Sequence, residues 1–203
     1  MTKLMFGKDV EKIAKLISKR KPAIKFVAWD LTPFIPHMHN WRRNIVFVEC
    51  DTVAVEPLTE LLGSEYSNYD IYSGVKKPVI RINRGGREAS IVIVARAAKA
   101  RREVEGTSPK LEKCLVDLLY YSKNDVLPLF LNDVLGVWEH YLTAADEIRF
   151  SDLYRYSLRR YLGWFVSIFA YEVSKKTKLR VDGRHLRQGM KNLELLEVVK
   201  RLE

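Results

Sequence analysis

Residues 107–121 read TSPKLEKCLVDLLYY, and the conformation of this stretch settles how the rest of the chain is laid out. Ser108 suits an N-cap, and Pro109 suits the first helical position, where its missing N–H is one the helix leaves unused anyway. Leu111, Leu115, Leu118 and Leu119 follow at the spacing of one helical face. Lys113 and Asp117 stand one turn apart, and on the wet side of a helix such a pair contributes only ~0.3–0.5 kcal/mol. The pattern predicts a helix over about 109–122. On its N-terminal side the chain has the texture of strands, and on its C-terminal side strand signals disappear.

Working back from this helix, KDVEKIAKLISKR (8–20) places Val10, Ile13, Leu16 and Ile17 on one side of a helix that Pro22 stops. AIKFVAW (23–29) reads as a strand, DLTPFIPHMHNWRR (30–43) as a loop or short helix, and NIVFVEC (44–50) as a strand apolar enough to be central. Asp51 can cap a helix to about Leu62 that tolerates Pro57 near its first turn. YDIYSG (69–74), PVIRIN (78–83) and ASIVIVARA (89–97) are further strands, with RGGR (84–87) as a hairpin turn between the last two. Working forward, helices are expected at 125–142, 151–174 and 184–202, with VDG (181–183) as a turn. Leu158, Tyr161, Leu162, Phe165, Ile168 and Phe169 form an apolar stripe on the helix 151–174, read as core or as a partner-facing groove. The predicted class is α+β: a mixed α/β sheet part over 1–107 and a helical part over 108–203, packed as one continuous domain.

Composition narrows the function classes. The longest apolar run, WFVSIFAY (164–171), is far short of the ~20 residues a membrane span needs. The N-terminus lacks the apolar core of a secretion signal, so no membrane partner is expected and the compartment is read as cytoplasmic. Cys50 and Cys114 have no metal-binding or disulfide spacing and are read as small buried hydrophobes. A single glutamine, Gln188, among many charged residues leans toward a thermophilic source. Net charge is +10 and arrives in blocks: +7 over 1–43, −6 over 44–72, +7 over 73–113, −5 over 114–152 and +7 over 153–203. Folded onto one face, the basic blocks make a polyanion-binding surface; paired with the acidic blocks, they neutralise internally.

Chemistry-bearing motifs are sparse. His37 and His39 share one side of any extended segment, but no third ligand completes a metal set; His140 and His185 have no nucleophile at a recognisable elbow. NRGGRE lacks the spacing of a phosphate loop. A metal-dependent nuclease needs clustered carboxylates with a lysine. Glu49, Asp51 and Asp70 are the available acids, and Glu88-Ala89-Ser90 offers no lysine where one is wanted. No catalytic residue, metal ligand or cofactor is assigned. The candidate binding cluster is basic: Lys19, Arg20, Lys21, Arg42, Arg43, Arg81, Arg84, Arg87, Arg96, Arg101 and Arg102, side chains suited to phosphate contacts.

SPKLEKCLVDLLYY resembles the Leu-Glu-x-x-Leu-Val-Asp-Leu helix of the AbiEi-like antitoxin family of type IV toxin–antitoxin systems. The resemblance extends back through FVAWDLTPFIPHMHNWRRNIVFVECDTVAVEPLTELL (26–62), which has that family's order of elements, and forward to LYRYSLRRY (153–161), covering 24–161. It implies a restriction-endonuclease-like α/β domain without known catalysis, operator DNA as one partner, and a nucleotidyltransferase-like toxin as another. It assigns Leu111, Glu112, Leu115, Val116, Asp117 and Leu118 to the fold. The family's N-terminal winged helix needs about three helices and a hairpin, whereas residues 1–23 supply one helix. The expected function is therefore a non-enzymatic, antitoxin-like protein that binds a toxin, DNA or RNA through a basic surface. The rivals are a divergent metal-dependent nuclease or nucleotide-processing enzyme using Glu49, Asp51 and Asp70, and an oligomerisation module that pairs copies through helix 151–174 with Trp164, Phe165 and Phe169 exposed.

Overall fold

A computed structural model describes residues 4–38, 44–74, 89–95, 104–105, 108–124, 127, 129, 131–144, 148–176, 183–185 and 187–192. Four strands, β1 (Phe26–Asp30), β2 (Asn44–Cys50), β3 (Asp70–Gly74) and β4 (Ala89–Ala95), form one mixed sheet in the order β1-β2-β4-β3. β1 is antiparallel to β2, while β2, β4 and β3 run parallel. The inner strands β2 and β4 are covered on both faces, which is why IVFV and IVIV are unbroken apolar runs rather than alternating ones. After β2 the chain makes a 3-10 turn (Thr52–Ala54) into helix α2 (Val55–Glu65), which carries it over the sheet to β3 at the far edge; β4 then fills the gap between.

The period-two alternation of the strands divides the core. Phe26, Ala28, Val46, Val48, Cys50, Ile91 and Ile93 face α2 and helix α1 (Lys8–Arg20), meeting Val10, Ile13, Ile17, Leu58 and Leu62. Trp29, Ile45, Phe47, Val92 and Val94 face the opposite way, onto helix α3 (Leu111–Lys123). There the Phe47 ring stacks between Trp29, with centroids 4.4 Å apart, and Tyr121, at 5.0 Å. Helices α4 (Leu131–Ala144), α5 (Phe150–Arg159) and α6 (Gly163–Lys176) pack on this side, and Trp138 of α4 is buried with its indole N–H donated to the Leu115 carbonyl at 2.9 Å. The mixed sheet followed by helices is the α+β arrangement expected from the sequence. Cys50 and Cys114 are free and buried, and no described helix is long and apolar enough to cross a membrane.

Several expectations need correction. Ser108 and Pro109 do not start α3. They form a short strand paired with Val104–Glu105, and the helix begins at Leu111 with Lys110 as N-cap. The helix is also buried almost all round, Lys113 and Asp117 included, because it is roofed by α4, α5 and α6 as well as floored by the sheet. α4 starts at Leu131, later than the predicted 125. The expected helix 151–174 is two helices, broken after Arg159 where Tyr161 adopts a left-handed conformation (φ 57°). Phe165 and Phe169 pack against the core; of the expected exposed stripe only Trp164 is open to solvent. The expected strand 78–83 and the turn 84–87 lie outside the described residues. Of the expected last helix, 184–202, residues 184–185 and 187–192 are described and helical.

The N-terminus of α1 is fastened to the sheet by Asp30, at the end of β1. Its Oδ2 accepts the backbone N–H of Gly7, the α1 N-cap, at 3.0 Å, the Thr32 hydroxyl at 2.8 Å and the Asn44 amide at 3.1 Å; its Oδ1 accepts the Thr32 N–H at 3.1 Å. Burial raises the Asp30 pKa, and the hydrogen bonds from Asn44, Thr32 and Gly7 oppose that rise in part. A carboxylate here also meets the positive end of the helix dipole. The approach leaves no room for a side chain, since a Cβ on Gly7 would lie 2.5 Å from Asp30 Oδ2 and 2.8 Å from Thr32 Oγ1. Gly7→Ala is therefore expected to cost about 1–3 kcal/mol, the usual range for overpacking, measured by urea denaturation; a neutral result would show that Asp30 can step aside.

Candidate functional site

The densest polar chemistry among the described residues is a chain of charges beneath the sheet. Glu49 belongs to the inward set of β2 with Ile45 and Phe47, so its carboxylate enters the face that α3 covers. Its Oε1 accepts the Trp29 indole N–H at 2.9 Å and is ion-paired to Lys113. The Lys113 ammonium also reaches Asp117 Oδ2 at 2.5 Å, one helical turn on. Asp117 Oδ1 in turn accepts from Arg160 Nε at 2.8 Å and is ion-paired with Nη2 at 2.7 Å. The Glu49, Lys113 and Asp117 side chains are at most 4% exposed, while Arg160 is 32% exposed and lies over the Tyr120 ring at 4.4 Å.

The electrostatics follow from the order of the charges. Burial alone would push the Lys113 ammonium pKa down, but the flanking carboxylates of Asp117 and Glu49 hold it above its ordinary value. Burial would raise Asp117, yet Arg160 and Lys113 together hold it below the usual carboxylate range. Tyr121, beside the chain, is pushed up by burial and then by Asp117. Two cations and two carboxylates cancel, so the chain is neutral as a unit and is satisfied internally. A charge group of this kind orders a core, and the excess of ten positive charges is carried by residues outside it.

Part of that excess lies on α1. Lys8, Lys12, Lys15 and Lys19 recur at i, i+4, i+7 and i+11 and are exposed, which places them in an arc of ~60° opposite the buried Val10, Ile13 and Ile17. The ridge is ~16 Å long. Among the described residues Lys8, Lys15 and Lys19 make no ion pair, while Lys12 approaches Asp9 at 3.9 Å. Exposed Arg20, the last residue of α1, and exposed Lys21 and Lys25 beyond it add positive charge at this end, and Arg20 lies 3.8 Å from Glu65.

Of the basic cluster expected from the sequence, Lys19, Arg20 and Lys21 are placed together at the exposed end of α1. Arg42, Arg43, Arg81, Arg84, Arg87, Arg96, Arg101 and Arg102 lie outside the described residues. The other members of the ridge, Lys8, Lys12 and Lys15, were missed, although their spacing in KDVEKIAKLISK carries the signal.

Glu49, Asp51 and Asp70 do not form one cluster. Glu49 is buried and Asp51 exposed. Asp70 pairs in register with Ser90, which pairs with Ile45, so Asp70 sits two strands across and four residues short of Glu49, ~10 Å sideways and ~13 Å along. The lysine that Glu49 does meet, Lys113, comes from a helix rather than from the next strand. His37 stacks on His140 with centroids 3.6 Å apart, and burial, followed by the charge of His140, lowers its pKa; His185 packs against Tyr154 at 4.3 Å, and His39 lies outside the described residues. Among the described residues no three His, Cys, Asp or Glu side chains converge to hold a metal ion.

Fold and site together define an α+β protein with a self-neutralised ionic core and an exposed lysine ridge. The family model for DUF6577, a family of unknown function, matches residues 4–169, and the chain belongs to that family. Neither the curated proteins nor the solved structures yield a match.

Lys113→Met tests the ionic core. Losing one partner leaves Glu49 and part of Asp117 uncompensated in a dry site, an expected cost of ~3–5 kcal/mol at neutral pH. The two proteins should also differ in pH dependence. In the wild type, Asp117 has a depressed pKa, so its contribution is complete above the unfolded value of about 3.9 and is lost only as pH falls through the lower folded value. In the variant the stranded carboxylates gain by protonation, so the stability gap should narrow as pH falls from 7 toward about 4. Urea titrations across that range measure it, and a constant gap would mean that the carboxylates are compensated by something other than Lys113.

Proposed function

We propose that this protein works by binding, as a cytoplasmic antitoxin-like protein whose lysine ridge on α1 holds the backbone of a nucleic acid. The observation that carries this reading is the ridge: four lysines on one exposed helical face, three of them in no ion pair among the described residues. Successive ridge lysines are separated by ~4.5–6 Å along the helix, a spacing with which a row of ammonium groups can follow neighbouring phosphates. The neutral charge chain supports the reading, because none of the positive excess is consumed in the core. The resemblance of residues 24–161 to AbiEi-like antitoxins supports it from the sequence side. That resemblance also favours a second reading, in which the same ridge meets the acidic face of a nucleotidyltransferase-like toxin.

Counterion release makes the first reading quantitative, since each lysine that neutralises a phosphate of B-DNA contributes ~0.9 to the log–log salt slope. Replacing Lys8, Lys15 and Lys19 by Gln removes three exposed charges that make no ion pair among the described residues. Filter-binding titrations of a duplex across salt concentrations should then show the slope fall by ~2–3 units, with the melting temperature nearly unchanged. An unaltered slope, or no retention of wild-type protein at low salt, overturns the nucleic-acid reading. Toxin neutralisation on co-expression that needs the three lysines, without nucleic-acid retention, would select the second reading.

A further inference from the structure

The corner between α5 and α6 departs from what local conformational energetics prefer. The Leu162 N–H bonds back to the Ser157 carbonyl at 2.8 Å and the Tyr161 N–H to the Leu158 carbonyl at 3.2 Å. This is the Schellman pattern, with Tyr161 at the left-handed position that glycine usually takes. Tyr161 has φ 57°, a conformation that disfavours a residue with a Cβ by roughly 1–2 kcal/mol. The side chain returns little of that through packing, because it is 87% exposed. Neighbouring Leu158 and Trp164 are 53% and 47% exposed. Strained, exposed aromatic residues are found where a surface is used.

What surrounds the ring indicates its occupant. Trp164 has the Lys123 ammonium 5.7 Å from its ring centroid, and Tyr120 carries the Arg160 guanidinium on its face at 4.4 Å. Tyr161 directly follows Arg160 in the chain and precedes Trp164 by three residues, so the two ring–cation pairs adjoin it along the sequence. Asp117, the acid that meets this group, is buried beneath Arg160. A second copy of the chain seated here through a two-fold axis would bring Lys123 close to its own image on a molecule that already carries +10. A flexible polyanion with exposed π-faces fits both features, since its bases can stack on Tyr161 and Trp164 while a phosphate meets the exposed Lys123.

We infer that the α5–α6 corner is a stacking platform for the unpaired bases of a single-stranded nucleic acid. This rests on the nucleic-acid reading above but uses a different face. α1 covers one side of the sheet and α5 and α6 lie on the other, so the corner and the lysine ridge can be tested apart.

The experiment compares Tyr161→Gly, Tyr161→Phe and Trp164→Leu with the wild type, using a 12-nucleotide oligothymidylate and a duplex of equal length in fluorescence-anisotropy titrations. Tyr161→Gly should raise the melting temperature by relieving the left-handed strain, yet weaken single-strand binding at least about tenfold. Trp164→Leu should weaken it similarly. Tyr161→Phe keeps the ring and should bind as the wild type does, and duplex binding should change little in all three. Equal single-strand affinity in wild type, Tyr161→Gly and Trp164→Leu overturns the platform while leaving the ridge reading intact. A salt slope left unaltered by the Lys8, Lys15 and Lys19 replacements, with the corner effect preserved, overturns the ridge instead. A wild-type dimer in sedimentation that Tyr161→Gly dissolves, without a change in oligonucleotide affinity, assigns the face to a second copy and overturns the inference.

Discussion

A single ammonium group buried under the sheet constrains much of the rest. Lys113 enters the core from the most enclosed helix of the molecule, and an isolated charge there would carry a desolvation cost that no small domain could offset. It is tolerated because Glu49 and Asp117 flank it, and they in turn are held by Trp29 and Arg160. The requirement propagates: β2 must stand so that Glu49 faces inward, β1 must bring the Trp29 indole alongside, and α5 must end where Arg160 reaches back to Asp117. Four segments far apart in sequence are fixed relative to one another by one charge chain. Apolar packing alone would leave them freer to slide.

A related logic holds two helix starts. Neither α1 nor α5 has a side-chain N-cap bond of its own. The N-cap N–H of α1 is instead taken by Asp30 at 3.0 Å, and that of α5 by buried Glu112 at 3.0 Å, each acid lying more than twenty residues away. In a capping box the acid sits three residues into the same helix. Here it comes from another element, so the cap also sets how the helix docks.

This arrangement explains what the sequence could and could not disclose. NIVFVEC and KDVEKIAKLISKR were legible to the residue because two-sided burial and amphipathic spacing leave local traces. The orientation of Lys113 and Asp117 was not, because an i, i+4 ion pair has the same spacing whether it faces water or the sheet; the deciding partners, Glu49 and Arg160, are 64 and 43 residues distant. The break after Arg159 was hidden for another reason. The glycine that usually announces a left-handed helix end is replaced by Tyr161, so the apolar spacing runs on as if the helix continued. In the candidate binding surface, the end of α1 was legible from its charge, whereas the full ridge required combining charge with helical period.

The charge chain and the α5–α6 corner meet at Arg160. Its guanidinium is anchored inward by a hydrogen bond from Nε and an ion-pair contact from Nη2 to Asp117, and lies against Tyr120, one residue before the strained Tyr161. The ionic core fixes the end of α5, and the two Schellman hydrogen bonds fix the backbone of the turn that follows. A backbone turn fixed before any partner arrives loses less conformational freedom on binding. The same buried charges that make this domain costly to assemble thus fix the backbone that carries Tyr161, and that coupling is a physical reason for a core to retain a lysine where a methionine would fit.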